Sequence, residues 1–276
     1  LVESPLDICD ALQEQISAAP KAWAFTSATL GADEALSWFT EQTGLGNATT
    51  LRLGSPFDYA AHARLYVPRA FPKPNEPDHA PSVALLAARC ARALGGRTFV
   101  LTTTLRALQA IGDHLRAEFD AQGDTIQVLM QGQAAKRQLL QQFLAQPRSV
   151  LVGSQSFWEG IDVVGDALQC VLIDKLPFPP PNDPLVEARV KRLESQGRNP
   201  FADYFVAEAA VSLKQGAGRL IRSETDRGLL VVCDSRMAGM NYGRRLREAL
   251  PPMQPVANEQ EALAWLATLA KDGLPF

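Results

Sequence analysis

The feature that most constrains the fold is a regular alternation of strand-like and helix-like segments between residues 81 and 250. The helical apolar spacing of SVALLAARCARAL gives way to a β-branched run in GGRTFVLTTT, and the same change of period recurs along the chain. Such alternation implies right-handed βαβ crossovers between parallel strands. The sequence therefore predicts an α/β fold, with a doubly wound, mostly parallel sheet flanked by helices.

Two of the predicted strands, in RSVLVGS and QCVLIDKL, are near-continuous apolar runs. Runs of this kind are typical of strands that helices cover on both faces. The other segments of the series are the strands TIQVLMQG and GLLVVCD and the helices LRALQAIGDHLRAEF, AAKRQLLQQFLAQ, LVEARVKRLESQG, FADYFVAEAAVSLKQ and YGRRLREAL. Residues 258–271 predict one more amphipathic helix.

The first fifty-odd residues stand apart from this series. We interpret AWAFTSATL as a strand and GADEALSWFTEQTG as the helix that follows it. RAFPKPNEPDHAP holds four prolines in thirteen residues, which predicts an extended loop or linker. A boundary near it assigns residues 1–65 to the closing elements of a preceding domain and residues 66–276 to a second domain. Because the chain starts at Leu1 rather than Met, we expect it to be part of a longer protein.

Composition narrows the class of protein. No run of about 18 apolar residues occurs and no signal peptide is visible, so we expect a cytoplasmic protein with no membrane partner. The formal net charge of −3 argues against a globally basic nucleic-acid binder, although residues 210–250 carry eight Lys/Arg against four Asp/Glu. The four cysteines and three histidines are scattered without metal-binding spacing, so no metal site is expected.

Short polar clusters follow three of the predicted strands, at the position where open parallel sheets bind ligands. Hydroxyls and backbone N–H groups there suit phosphate oxygens, although capping of the following helices accounts for the same pattern. The clusters are Thr102, Thr103 and Thr104; Ser154, Gln155 and Ser156; and Ser27, Ala28 and Thr29.

The segment SQSFWEGIDVVG, residues 154–165, interrupts the passage from a strand to a helix. Gly160 and Gly165 bend the backbone, and Glu159 and Asp162 place two carboxylates near the turn. A carboxylate at such a turn can orient an arginine or bind a ribose hydroxyl. A solvated loop with an Asx turn is the alternative.

The segment LKQGAGRLIRSETDRG, residues 213–228, predicts an amphipathic helix that runs into a turn. Gln215, Arg219 and Arg222 are spaced by four and three residues, so the helix would carry all three on one face. Gly216 and Gly218 would let a ligand approach closely, at a cost of roughly 1 kcal/mol each in helix propensity. A guanidinium is always charged and binds phosphate bidentately, which favours a phosphate partner. A surface helix with its arginines in water is the alternative.

The glycine-rich patterns that cradle nucleotide phosphates, G-x-x-x-x-G-K-[ST] and G-x-G-x-x-G, do not occur in the sequence. DEA at residues 33–35 lacks the apolar strand of a Walker B box, and we interpret it as acids at a helix N-terminus. The sequence therefore predicts cations that could contact a phosphate, but no loop that could cradle one, which is half of a nucleotide site.

Three stretches, TSATL, GSQSFWEGIDVVG and QGAGRLIRSETDRGLLVVCDSR, resemble motifs III, V/Va and VI of superfamily 2 helicases of the XPD/DinG branch. IDKLPFPPPNDPLVEARVKRLE is similar to the bacterial DinG-type members, and the likeness extends from about Trp23 to Leu250. The resemblance implies two RecA-like motor domains with ATP between them. This chain would supply the end of the first domain, with motif III, and the whole second domain, with motifs IV, V and VI.

By this resemblance, the phosphate loop, the Mg²⁺ carboxylates and an iron–sulfur cluster would lie upstream of Leu1. ATP with Mg²⁺ would therefore be bound mainly by the missing N-terminal motor domain, which is a partner in cis. The other implied partners are single-stranded DNA and a replication or repair protein. The implied activity is ATP-driven movement along DNA in the 5′ to 3′ direction, and the fragment alone is expected to be inactive.

The resemblance also assigns roles to residues around the nucleotide. Arg222 would be the arginine finger, Arg219 would face the ATP phosphates beside it, and Gln215 would set their helix against the cleft. The other residues that would line the nucleotide are Gly160, Asp162 and Gly218.

A second group would lie on the nucleic-acid side, namely Thr102, Thr103, Thr104, Ser154, Trp158 and Arg236. Trp158 would either stack on a base or pack beside its own turn, and Arg236 would either touch DNA or brace motif VI. Ser27 and Thr29 would couple the two motor domains.

Two other functions compete with a helicase motor, and the sequence argues against the second of them. In the first, the chain is a docking platform for a replication or repair partner. EQEALAWLATLAKDGLPF would then be the docking surface, and the alternative is that it forms a helix that covers the sheet. A doubly wound metabolic enzyme would need a glycine-rich cofactor turn or a nucleophile elbow, and the sequence contains neither.

Overall fold

The computed structural model describes residues 8–19, 21–27, 30, 34–154, 157, 163 and 165–272 of the 276-residue chain. The described residues divide into two compact units, a smaller one from Leu1–Ser55 and Phe178–Val211 and a larger one from Pro56–Pro177 and Ser212–Phe276. The assignment of residues 1–65 and 66–276 to two motor domains stays a prediction.

The larger unit is built on a sheet whose seven strands, counted over the described residues, all pair in parallel. Their order across the sheet is β3-β4-β2-β5-β6-β1-β7. The strands are β1 (Ala63–Tyr66), β2 (Thr98–Thr102), β3 (Gln127–Met130), β4 (Ser149–Ser154), β5 (Cys170–Ile173), β6 (Gly228–Val232) and β7 (Gln254–Pro255). The doubly wound, parallel α/β fold is confirmed. Among the strands, the sequence reasoning missed only the short β1 and β7.

Helices cover both faces of this sheet. Side chains alternate between the two faces along each strand, so each strand contributes to the packing on both sides. Val100 and Leu172 share one core with the helices His79–Leu94, Leu105–Gln122 and Glu259–Asp272. On the opposite face, the ring of Phe99 lies 4.7 Å from that of Phe143 in the helix Lys136–Ala145. Burying each such side chain contributes roughly 1.5–3 kcal/mol, so the sheet and its helices form the main core.

The C-terminal helix Glu259–Asp272 belongs to this core, with Ala262, Leu266 and Leu269 buried. The interpretation of this helix as a cover for the sheet is therefore confirmed. The larger unit also contains the helices Tyr59–His62, Arg236–Gly239 and Asn241–Ala249 and a 3₁₀ turn at Gly165–Ala167. Over the described residues, every helix is too short or too polar to cross a bilayer.

Helices of the smaller unit are Cys9–Ser17, Ser37–Thr43 and Pro184–Ser195. They are followed by a π turn at Phe201–Phe205 and by residues 206–211 of the helix Val206–Ala217, whose remaining residues belong to the larger unit. The helix Pro184–Ser195 begins where its sequence predicts it, because Asp183 caps it by accepting the N–H of Leu185 at 2.8 Å. Proline at its first position needs no N–H partner.

For the N-terminal segment, the predicted strand is wrong, and the predicted helix is confirmed over only part of its length. Residues 22–27 and 30, the described part of the predicted strand AWAFTSATL, form no regular secondary structure, and Trp23 is 42% exposed. A strand needs a neighbour for its backbone hydrogen bonds, and none of the described residues pairs with this segment. The predicted helix GADEALSWFTEQTG is reduced to Ser37–Thr43 in the described residues, where Gly44 in the left-handed region ends it.

The proline-rich stretch is a loop over residues 69–78, as predicted, but its last three residues already belong to the helix His79–Leu94. Pro81 is tolerated there because the first turn of a helix has no intrahelical partner for its N–H groups. The buried ring of His79 joins this loop to the sheet, since its nitrogens lie 2.8 Å from the Pro72 carbonyl oxygen and 3.0 Å from that of Asp174.

Candidate nucleotide and nucleic-acid site

The helix that carries Gln215 ends at Ala217, before either arginine of the predicted face. Beyond it, the N–H of Arg219 donates to the Gly216 carbonyl at 3.2 Å, a turn of three residues rather than four. The prediction that Gln215, Arg219 and Arg222 share one helical face is therefore wrong. Glycines at positions 216 and 218 lower the helix propensity of this segment, which explains why the helix stops here.

The arginines lie instead in an ordered loop, residues 218–227, which we call the arginine loop. Leu220 and Ile221 are each 1% exposed and anchor the loop in the core. Arg219 and Arg222, on either side of this apolar pair, are half-buried. The loop therefore presents two cations from a backbone that packing holds in place.

Asp226 is the polar anchor of the arginine loop. Its side chain is 3% exposed and accepts the N–H of Arg222 at 2.8 Å and that of Ser223 at 3.0 Å. The Ser223 hydroxyl and the N–H of Gly165, at 3.1 Å, donate to its other oxygen. An aspartate that captures backbone N–H groups in this way competes with the helix. The sequence reasoning missed Asp226, although Ser-x-x-Asp is a spacing at which the acid reaches back to a preceding backbone N–H.

The arginine loop lies at the amino-terminal end of the sheet, because Gly228 begins β6 directly after it. A Cβ atom on Gly228 would overlap Cδ1 of Leu220 and lie 2.7 Å from the carbonyl oxygen of Gln169. The absence of a side chain at Gly228 thus lets the loop pack against the strand. The sequence reasoning sought ligands at the carboxyl ends of the strands, whereas these arginines lie at the other end.

The threonine cluster lies at the carboxyl end of β2. Thr102 is fully buried, and its hydroxyl donates to the carbonyls of Thr104 at 3.2 Å and Gly153 at 3.4 Å. Thr104 is exposed, and its hydroxyl caps the helix Leu105–Gln122 by accepting the N–H of Ala107 at 3.1 Å. The capping alternative is confirmed for Thr104, and Thr102 does not reach the surface.

The third member of this cluster, Thr103, is held by a buried carboxyl group that the sequence reasoning missed. Asp174 follows β5, is 1% exposed, and accepts at Oδ1 the N–H of Thr103 at 3.0 Å and that of Lys175 at 2.8 Å. Burial raises the pKa of Asp174 to about 7. An aspartate that directly follows an apolar strand was the available signal.

Ser154 lies in register with Thr102, at the carboxyl end of β4. Its N–H and hydroxyl donate to Oε1 of Gln131 at 2.7 and 2.9 Å. Gln131 was also missed by the sequence reasoning, because it is 23 residues away along the chain.

Arg236, just beyond β6, forms a two-point ion pair with Asp234. The Nε–Oδ1 and Nη2–Oδ2 distances are 2.9 and 2.6 Å, and the Asp234 side chain is fully buried. Burial by itself would raise the pKa of Asp234, but the hydrogen bonds from Arg236 and from the N–H of Leu176 lower it below its ordinary value. The guanidinium is thereby fixed at the carboxyl end of β6.

The structure thus separates the predicted residues into two groups. Gln215, Gly218, Arg219 and Arg222 lie close together in the chain around the arginine loop, at the amino ends of the strands. The members at the carboxyl ends are Thr102, Thr103, Thr104, Ser154 and Arg236. Ser27 is exposed in the smaller unit, whereas Thr29, Trp158, Gly160 and Asp162 lie outside the described residues. In the described part of the chain, no three His, Cys, Asp or Glu side chains are grouped to hold a metal ion.

A family model described as "Helicase C-terminal domain" matches residues 87–253. The chain is 40% identical over 267 residues to the ATP-dependent DNA helicase YoaA of Escherichia coli, covering 97% of this chain and 41% of that protein. It is 36% identical over 272 residues to the ATP-dependent helicase DinG of Mycobacterium tuberculosis, covering 97% and 40%. The chain therefore spans about two fifths of the length of these relatives.

Among solved structures, Xpd4 of S. tokodaii is similar with a TM-score of 0.53 and 16% identity, over 71% of this chain and 39% of that one. At this identity the likeness concerns the fold alone.

Proposed function

This chain belongs to the helicase C-terminal domain family of the DinG/XPD-type superfamily 2 helicases, whose motor domains are RecA-like, and we propose that it is the second motor half of an ATP-dependent DNA helicase. The observation that carries the proposal is the arginine loop, which presents two half-buried cations from a backbone fixed by core packing and by Asp226. The relatives' names support ATP as the energy source and DNA as the substrate.

Arg222 is the arginine finger in this proposal. A guanidinium that a fixed loop holds in place loses little freedom when charge develops on the transferred phosphoryl group, and such a finger contributes about 10³- to 10⁵-fold in rate. Arg219 faces the same phosphates, while Gln215 and Gly218, with Gly160 and Asp162, line the nucleotide. ATP with Mg²⁺ supplies the reacting phosphoryl group and is bound mainly by the N-terminal motor domain, which has the phosphate loop and, by family analogy, an iron–sulfur cluster.

The carboxyl ends of β2 and β4 form the track for single-stranded DNA. The exposed Thr104 and the half-buried Thr103, whose hydroxyl lies 3.5 Å from Oδ2 of Asp174, supply neutral hydroxyls, which suit phosphate oxygens without sequence preference. Closure of the two motor domains on ATP, and their release after hydrolysis, would move the strand in the 5′ to 3′ direction. Ser27 and Thr29, in the closing elements of the first domain, would couple domain closure to movement of the strand. The full-length protein would act in DNA repair or replication.

The test is the ATPase rate of the full-length protein that contains this chain, measured with and without single-stranded DNA. We expect DNA to stimulate the parent, and Arg222→Ala to lower the rate by about 10³-fold or more while the DNA affinity changes by less than about 2-fold. Arg227→Ala, an exposed arginine of the same loop, is the matched control and should keep the parent rate. Equal rates in parent and Arg222→Ala would contradict the finger assignment. A rate indifferent to DNA would favour the docking platform.

A second measurement tests the division of the nucleotide site. The 276-residue chain by itself should show no Mg²⁺-dependent ATP turnover, because its sequence has no pattern that cradles the β- and γ-phosphates. ATP turnover by this chain alone would contradict the proposal that the nucleotide site is divided between this chain and the N-terminal motor domain.

A further inference from the structure

One buried carboxylate joins two stretches of chain that are 61 residues apart. Oδ1 of Asp226 accepts the N–H of Gly165 at 3.1 Å, and Oδ2 accepts the N–H of Arg222 at 2.8 Å. The first stretch is the 3₁₀ turn Gly165–Ala167 that precedes β5, and the second is the arginine loop that precedes β6. Both stretches lie at the amino ends of adjacent strands, within the larger unit.

This contact has requirements that only a carboxylate meets. Asp226 accepts from three backbone N–H groups and one hydroxyl and donates to none, and it does so with 3% of its surface exposed. An amide would place its NH₂ group against one set of donors, and an apolar side chain would leave three N–H groups without an acceptor. The four hydrogen bonds therefore hold the Asp226 side chain and the backbone groups around it in one arrangement.

Gly165 has the backbone that this arrangement needs. Its φ of +79° lies in the left-handed region, where glycine is favoured, and this conformation directs its N–H to Asp226. On the other side, the N–H groups of Arg222 and the residue after it converge on one oxygen atom. Asp226 is thus the side chain that joins the Gly165 turn directly to the backbone of Arg222.

We propose that Asp226 is a positioning residue that makes the Gly165 turn and the arginine loop one rigid body, so that Arg222 moves only together with the turn before β5. The inference rests on the proposed function only where it says that Arg222 acts on a phosphate. The mechanical link between the two stretches stands without it. A carboxylate that merely caps the arginine loop would leave the Gly165 turn independent, and the two cases give different results.

The mechanical part is tested by amide hydrogen exchange of the full-length protein, followed by mass spectrometry. In Asp226→Asn, peptides that contain residues 165–168 and peptides that contain residues 219–224 should both exchange about 10-fold faster than in the parent. Glu224→Gln removes an exposed charge from the same loop and should leave both at the parent rate. Faster exchange in the arginine loop alone would overturn the proposal, since Asp226 would then be a local cap.

The functional part is tested by DNA-stimulated ATPase of the same variants. Asp226→Asn should lower kcat by about 10- to 100-fold, because a small misplacement of a catalytic group has this cost. The KM for ATP and the Kd for single-stranded DNA should change by less than about 3-fold, since Arg222 acts mainly in the transition state. Ser223→Ala, which removes one donor and keeps the carboxylate, should fold in any case and lower kcat by about 2- to 5-fold. Parent-like kcat in both variants would contradict the positioning role.

A double-mutant cycle separates positioning from a general loss of structure. In the Arg222→Ala background, measured by single turnover with excess enzyme, Asp226→Asn should change the rate by less than about 2-fold, because the group that it positions is gone. A full 10-fold loss in that background would overturn the proposal. If the parent itself shows no DNA-stimulated ATPase, the proposed function fails, while the exchange experiment still decides whether Asp226 links the two stretches.

Discussion

Oδ1 of Asp174 accepts the backbone N–H of Thr103 at 3.0 Å, so a buried carboxyl group ties the carboxyl end of β5 to that of β2. The same oxygen accepts the N–H of Lys175 at 2.8 Å. Both strand ends are thereby held at the edge where the threonine cluster lies. The position of the Thr103 backbone therefore depends in part on this interior group.

The buried carboxyl group of Asp174 predicts an unusual pH dependence. Its pKa in the folded protein, about 7, lies above its ordinary value, so the folded state prefers the protonated form. The stability that it contributes is complete below about pH 4 and is lost as the pH rises to about 7. Asp174→Asn keeps an oxygen for both N–H groups and never ionises. The free energy of unfolding of this variant, relative to that of the parent, should therefore increase between pH 4 and pH 7, by up to about 4 kcal/mol.

Chemical unfolding at pH values from 4 to 8 measures this difference. Asp113→Asn, on the exposed surface of the helix Leu105–Gln122, is the control and should stay within about 0.5 kcal/mol of the parent. A difference between Asp174→Asn and the parent that is flat with pH would contradict the assignment.

Gly228→Ala should destabilise the protein by about 1–3 kcal/mol, because the new methyl group overlaps Leu220 and the Gln169 carbonyl. The shift of Leu220 should also move the arginine loop and lower the ATPase rate of the full-length protein. In Gly239→Ala the Cβ atom meets nothing within 4 Å, so that variant should be as stable as the parent or slightly more so. Thermal unfolding of the two variants makes the comparison, and equal melting temperatures would refute the close approach.

Arg236→Met should destabilise the protein by about 3 kcal/mol, because it leaves the fully buried Asp234 without its cation. The pKa of Asp234 is lowered in the folded protein, so the stability from this pair is present at neutral pH and is lost as the pH falls through that lowered value. The gap between parent and variant should accordingly shrink on acidification. Arg244→Met is the control, since the Arg244 side chain is 80% exposed and its pair with Glu248 contributes about 0.5 kcal/mol or less. Equal losses in the two variants would be evidence against the buried pair.

Thr103→Ala should weaken binding of single-stranded DNA by the full-length protein by about 3- to 10-fold, through the loss of a hydroxyl donor to phosphate. Because the hydroxyl carries no charge, the slope of log K against log salt should stay the same. Thr268→Ala, on the exposed side of the C-terminal helix, is the matched control. Fluorescence anisotropy at several salt concentrations measures both quantities. Unchanged affinity in Thr103→Ala would remove this threonine from the DNA track.

The sequence was a good guide wherever the signal is local. The apolar runs of β4 and β5 predicted buried parallel strands, and the change of period between segments predicted the doubly wound sheet. The predicted strand at residues 22–30 failed because local propensity cannot supply a partner strand. The predicted helical face failed because the spacing of Gln215, Arg219 and Arg222 assumes a helix that continues past Ala217.

By itself, the sequence determined the architecture, the family and the residue types at the candidate site, because periodicity, turn residues and motif spacing are properties of short segments. Only the tertiary structure decided that the arginines lie in a loop at the amino ends of the strands, that Thr102 is interior, and that Asp174 and Asp226 join distant segments. The physical reason is that a buried carboxylate is stable only where several donors converge on it. That convergence brings together groups as far as 71 residues apart, and such contacts exist only once the sheet has formed.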